Sequence, residues 1–170
     1  MKKAILIFAL ITFSLIGNAQ SFFIENGKIL WQHTFESDLD ATEIVKAMHM
    51  SGKFTNIEIV DSTFVTARLT PQTAEIEKYG YRRMHIPIYL ANNDFGPAKI
   101  IIQIKPGVYR ATATNMILTD ATASQLSGGS LTAFAIQDNT FSSVFVKEPV
   151  VVYHDILMNC LTFEKVENDW

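Results

Sequence analysis

The chain has 170 residues, a formal charge of −3, 48% apolar residues and one cysteine. A single cysteine excludes an internal disulfide framework and any multi-cysteine metal cluster. The acidic balance argues against non-specific binding to nucleic acid or to an anionic membrane, both of which want a basic field.

Lys2 and Lys3 precede an apolar run, Ala4–Ile16, interrupted only by Thr12 and Ser14, and Gly17-Asn18-Ala19 puts small residues where a signal peptidase reads. This predicts a cleaved signal peptide over 1–19 and one mature domain over 20–170, beginning at Gln20. The apolar run is shorter than the ~20 residues a helix needs to cross a bilayer. Cys160 lies far from the cleavage site, so no cysteine there can carry a lipid. The expected product is exported to the periplasm or beyond, is soluble after cleavage and is not a lipoprotein. Without Lys2 and Lys3 it carries 12 basic against 17 acidic residues, a net charge of −5. A chain of this size buries enough apolar surface to fold without covalent staples.

Ile29–Phe35 reads as a strand introduced by the turn Glu25-Asn26-Gly27. Asp40 and Glu43 then have the spacing of a capping box, with Leu39 and Ile44 placed as a hydrophobic staple. Ala41, Ile44, Val45 and Met48 make one helical face, and Gly52 is a natural stop. Beyond it the period changes to two. Residues 54–60 and 63–70 flank Asp61-Ser62 as a hairpin, and 71–80 reads as a connector with at most one helical turn. Met84, Ile86, Ile88 and Leu90 alternate with polar neighbours and predict a strand, at an edge or bulged because Pro87 cannot donate to a ladder. After a turn at 92–97, Ile100, Ile102 and Ile104 predict the inner face of a central strand. The strand predicted over 108–118 turns Tyr109, Ala111, Ala113 and Ile117 inward. Residues 119–130 read as a small-residue loop, 131–146 as two short strands around Asp138-Asn139, and the segment beyond Pro149 as a closing helix.

One-faced strands with helices gathered on their apolar side predict an α+β fold, a two-layer sandwich of mostly antiparallel sheet with helices on one face. At this point the chain resembles a domain of unknown function with a TATA-binding-protein-like fold, found in small secreted bacterial proteins. The resemblance rests on the strand-helix opening over 29–50, the hairpin over 57–69 and the strand over 84–90. Above all it rests on Gly107-Val108-Tyr109-Arg110-Ala111-Thr112-Ala113-Thr114-Asn115, with Asn168-Asp169-Trp170 as the closing motif. Residues 119–149 depart from the family pattern. The resemblance implies a saddle-like sheet backed by helices; it implies no activity, and the fold name does not license DNA binding.

The chemistry-bearing residues favour a non-catalytic role. His33, His49, His85 and His154 show no metal-ligand spacing. His154-Asp155 are neighbours in sequence, but no nucleophile elbow accompanies them. Cys160 sits on an apolar stripe as a core residue would. Asp38 and Asp40 read as helix-start residues, Glu75 and Glu77 as solvated, and Ser-Gly-Gly-Ser at 127–130 lacks the lysine of a phosphate loop. No cofactor and no metal are implied.

One constellation remains. With the parities above, Arg83, His85, Tyr89, Lys99, Ile101, Gln103, Lys105, Arg110 and Thr112 project from one uncovered face, basic within an acidic protein. An ordinary solvated antiparallel face also carries such residues. The leading expectation is therefore a secreted binding or interaction module whose partner is an envelope protein or a small anionic ligand. The alternatives are an enzyme with a site assembled from scattered residues, and a small-ligand carrier with a pocket between sheet and helices. A pocket lined by His33 or His154 with shifted ionisation would favour the enzyme, and an apolar cavity between the layers the carrier.

Overall fold

The computed structural model describes residues 21–120 and 128–165. The expected leader, the loop residues 121–127 and the closing Asn168-Asp169-Trp170 lie outside the described residues. The fold opens with a hairpin that the sequence pattern only half announces. Asn26 and Gly27 both take positive φ, the backbone that a two-residue hairpin turn requires. They join β1 (Phe22–Glu25) to β2 (Lys28–Glu36), with Phe22 opposite Trp31. The first strand is an addition to the sequence reading.

Helix α1 (Ala41–Ser51) forms where the caps place it. Asp40 Oδ1 accepts the Glu43 amide at 2.8 Å, and Glu43 Oε2 accepts the Asp40 amide at 3.1 Å. Gly52 ends the helix at φ 66°. Leu39, Ile44 and Met48 are buried, so the staple and the apolar face both point into the core.

The hairpin β3 (Phe54–Asp61) and β4 (Phe64–Leu69) follows. Asp61 Oδ1 holds its turn by accepting from both the amide and the hydroxyl of Thr63, each at 2.7 Å. Thr55 pairs with Arg68 but Glu58 with Thr66, so β3 carries one extra residue there, a bulge in which Asn56 takes φ 51°.

The strand expected over 84–90 does not form. Arg83–His85 is a single 3₁₀ turn, and α2 (Ile88–Asn92) is one turn of helix started at Pro87, whose fixed φ suits that position. The alternation there was misleading. Met84 and Ile88 are 88% and 69% exposed, while the adjacent pair Tyr89 and Leu90 is buried.

β5 (Asn93–Phe95), β6 (Ala98–Lys105) and β7 (Val108–Thr114) complete the sheet region. The main sheet has the order β1-β2-β7-β6-β4-β3, with every pairing antiparallel. The single strand expected over 108–118 is broken at Asn115, whose φ of 51° ends the ladder. Parity reverses beyond it: Met116 and Leu118 are buried and Ile117 points out, which corrects the inward placement of Ile117. β8 (Ile117–Asp120) leaves for a small sheet between β5 and β9 (Gly129–Ser130).

Residues 131–146 are part helix and part hairpin: α3 (Leu131–Ala135), then β10 (Ile136–Gln137) and β11 (Thr140–Phe141) around Asp138 and Asn139, both at positive φ. The closing helix is α4 (Glu148–Leu161), with Val152, Tyr153, Leu157, Cys160 and Leu161 buried. Among the described residues no helix is long and apolar enough to cross a membrane.

The buried side chains of α1, α4 and one face of the sheet form a single cluster. Val65, Ala67, Ile100, Ile102, Tyr109, Ala111 and Ala113 belong to it, whereas Leu30, Phe64, Ile101 and Val108 on the alternate positions do not. Helices therefore cover one face, and the result is an α+β two-layer sandwich.

Candidate binding face

Alternation along β6 and β7 sends Lys99, Ile101, Gln103 and Lys105, with Val108, Arg110, Thr112 and Thr114, away from the helices. Register then makes them neighbours: Lys99 opposes Thr114, Ile101 opposes Thr112, and Gln103 opposes Arg110. The Arg110 guanidinium donates to Gln103 Oε1 through Nε at 3.0 Å and through Nη2 as well. Gln32 Nε2, from β2, donates to Thr112 Oγ1 at 3.0 Å. Thr112 is only 8% exposed although it lies on the outer side.

Of the expected face residues, Lys99, Lys105 and Arg110 therefore share this surface. Arg83 and His85 do not: they are exposed on the 3₁₀ turn of the connector, outside the sheet. Tyr89 is not a surface residue at all. It is buried on α2, with its ring 5.0 Å from that of Phe134 and its hydroxyl without a hydrogen-bond partner among the described residues. Burial, helped by Glu148, pushes its phenol up to about 12.

Arg68 joins the face instead. It stands on β4 directly opposite Lys99, with Thr66 opposite Ile101 and Phe64 opposite Gln103. The alternation of Phe64, Thr66 and Arg68 against Val65, Ala67 and Leu69 was legible; that β4 lies beside β6 was not. Near the Arg68–Lys99 end of the sheet is a cleft of about 430 Å³, lined there also by Asn56, Glu58, Asn115 and Ile117.

Two of the four histidines, His33 and His154, lie close together. Trp31 Nε1 donates to His154 Nδ1 at 3.0 Å, and the His33 ring lies 6.3 Å from that of His154 and 4.7 Å from that of Phe35. Burial, then the neighbouring His154, holds the His33 imidazole below its ordinary value. Asp155 completes no relay: its Oδ2 accepts from the Tyr79 hydroxyl at 2.6 Å and faces Lys78 Nζ at 4.0 Å. Burial pushes the Cys160 thiol up, opposite to what a nucleophile needs. Neither histidine lines the 430 Å³ cleft.

The depressed His33 value has a thermodynamic consequence. The unfolded chain binds the proton more readily than the native state, so this contribution is fully present above about pH 6.5 and lost as the pH falls through the lower native value. Urea midpoints should therefore fall between pH 7.5 and 5.5, and less so in His33→Gln. Equal slopes in the two proteins would remove His33 as the cause.

No protein-family model and no curated protein matches the chain. The sheet order, the one-sided helices and the open opposite face define an α+β domain of TBP-like fold. A TBP-like protein from Parabacteroides distasonis matches it with a TM-score of 0.52 and 10% identity, over 83% of this chain and 95% of its own. A DUF4468 family protein from Bacteroides ovatus matches with a TM-score of 0.51 and 9% identity, over 91% of this chain and 98% of its own. At such identities the likeness establishes the fold alone.

Proposed function

We propose that the protein is an exported, non-catalytic binding module of the cell envelope, and that its open sheet face takes an anionic partner. One observation carries this reading. Arg68, Lys99, Lys105 and Arg110 stand on adjacent strands of one face in a chain of net charge −3, around a half-buried strip of Phe64 and Ile101. A concentrated basic field against an acidic background steers and selects an anionic surface. Glu36 and Glu58 flank it on β2 and β3. The leader over 1–19 supplies the export part of the reading.

The double substitution Lys105→Gln/Arg110→Gln tests it. Capture of envelope components by the immobilised protein should fall at least severalfold at 50 mM salt. The wild type should lose the same components at 500 mM, because exposed charges are screened within ~10 Å at 0.1 M salt and more tightly above it. Both side chains are exposed, so unfolding stability should stay within about 0.5 kcal/mol of wild type. Unchanged capture by a folded double variant would reduce the face to ordinary solvated surface.

A further inference from the structure

We infer that the cleft at the Arg68–Lys99 end of the face is a site for a monoanionic carboxylate carried on a short apolar body. The inference deepens the binding reading above and rests on it.

The first observation is a like-charge pair. Arg68 and Lys99 are direct cross-strand partners, an arrangement that costs stability unless an anion sits between or above them. Neither cation forms an ion pair among the described residues, where the pairs are Lys78 with Asp155 and Lys165 with Glu43; Glu58, in the same lining, offsets only one of the two charges. Two cations held side by side on rigid strands, both exposed, are preorganised for an anion at the cleft they border.

The second observation is how the cleft arises. Two breaks in the ladder open it, and both fall on asparagines in the left-handed region. The bulge at Asn56 pulls β3 out of register with β4, and the kink at Asn115 ends β7 one residue past the Lys99–Thr114 pair. That kink also turns Ile117 outward, 38% exposed, into the lining of the cleft beside Pro97 and Ala98. The concavity thus has a cationic rim, two amide side chains and an apolar wall.

Charge and shape choose the ligand class. Arg68 and Lys99 against Glu58 leave one net positive charge in the lining, which suits a monoanion better than a phosphate dianion. A guanidinium fork matches a carboxylate bidentately, and the ammonium opposite supplies a second charge-assisted contact. The wall of Pro97, Ala98 and Ile117 then receives a short apolar group rather than a second charge. Such a carboxylate comes either from the end of a peptide or from a small free acid.

Titration of the full chain, followed by amide chemical shifts, separates these sources. The probes are acetyl-Ala-Leu as free acid, its C-terminal amide, 4-methylpentanoate and inorganic phosphate. The free acid should give saturable shifts at Arg68, Lys99 and Ile117, and the amide should bind at least tenfold more weakly. Arg68→Gln should weaken the acid at least tenfold while the melting temperature stays level or rises, since the like-charge pair is relieved. Binding of 4-methylpentanoate as tight as that of the peptide assigns the site to free acids; weaker binding assigns it to peptide ends. Arg83→Gln, exposed on the connector outside both the sheet face and the cleft lining, should leave carboxylate binding unchanged. Envelope capture by Lys105→Gln/Arg110→Gln is read separately, so failure of the broad face and failure of the cleft are told apart. Absence of saturable shifts with either carboxylate, tighter binding of phosphate, or full affinity in Arg68→Gln would each overturn the inference.

Discussion

Ile102→Ala should lower the free energy of unfolding by about 2–5 kcal/mol, the cost of truncating a buried aliphatic side chain and leaving a cavity. The upper half of that range is expected here. Ile102 is fully buried on β6, between Val65 of β4 and Ala111 of β7, and antiparallel ladders to both of those strands hold β6 in place. Ala111 offers no volume to fill the hole, and the ladder resists collapse. Urea denaturation at pH 7 measures the effect. Ile101→Ala is the control, because it removes the same atoms from the outer face and should cost no more than about 1 kcal/mol. If the two costs were exchanged, the sheet would be one residue out of register, which swaps its faces.

Tyr109→Phe should cost about 2–4 kcal/mol, from one buried and one half-buried polar group left without partners, where a fully buried one costs roughly 1–3 kcal/mol. The Tyr109 hydroxyl donates to the Leu161 carbonyl at 2.7 Å and accepts from the Phe163 amide at 3.0 Å, clasping the end of α4 to the sheet. Desolvation there pushes its phenol up to about 12, so the group stays a neutral donor across the accessible pH range. Phenylalanine keeps the ring stacked on Phe35 at 4.8 Å and loses only the hydroxyl. Amide exchange reports the site directly: the Phe163 N–H should exchange faster in the variant, while core amides of β6 change only with global stability. A variant with wild-type midpoint and unchanged Phe163 exchange would mean that water already satisfies these groups.

These two expectations rest on different kinds of information. That Ile102 points inward was legible from alternation alone, because side chains on a strand change face at every residue. So were α1 with its capping box at Asp40 and Glu43, the hairpin over 54–69, and the closing helix. In each the deciding contacts are a few residues apart, and the residue types that make them stand together in the chain. The clasp at Tyr109 was not legible, since its partners lie more than fifty residues away. Residues 84–90 show the limit from the other side. Their period of two was clear, yet no neighbouring strand pairs with them, and Pro87 starts a helical turn instead.

The candidate site divides along the same line. Residue order by itself determined which side of its own strand Lys99, Lys105, Arg110 and even Arg68 would occupy. Tertiary structure alone decided that β4 lies beside β6, bringing Arg68 opposite Lys99, and that Arg83, His85 and Tyr89 lie elsewhere. It also decided that the chain breaks at Asn56 and Asn115 and opens a cleft between them. The reason is physical: periodicity is a local property of covalent geometry, whereas strand order and register come from hydrogen bonds and packing between segments distant in the chain.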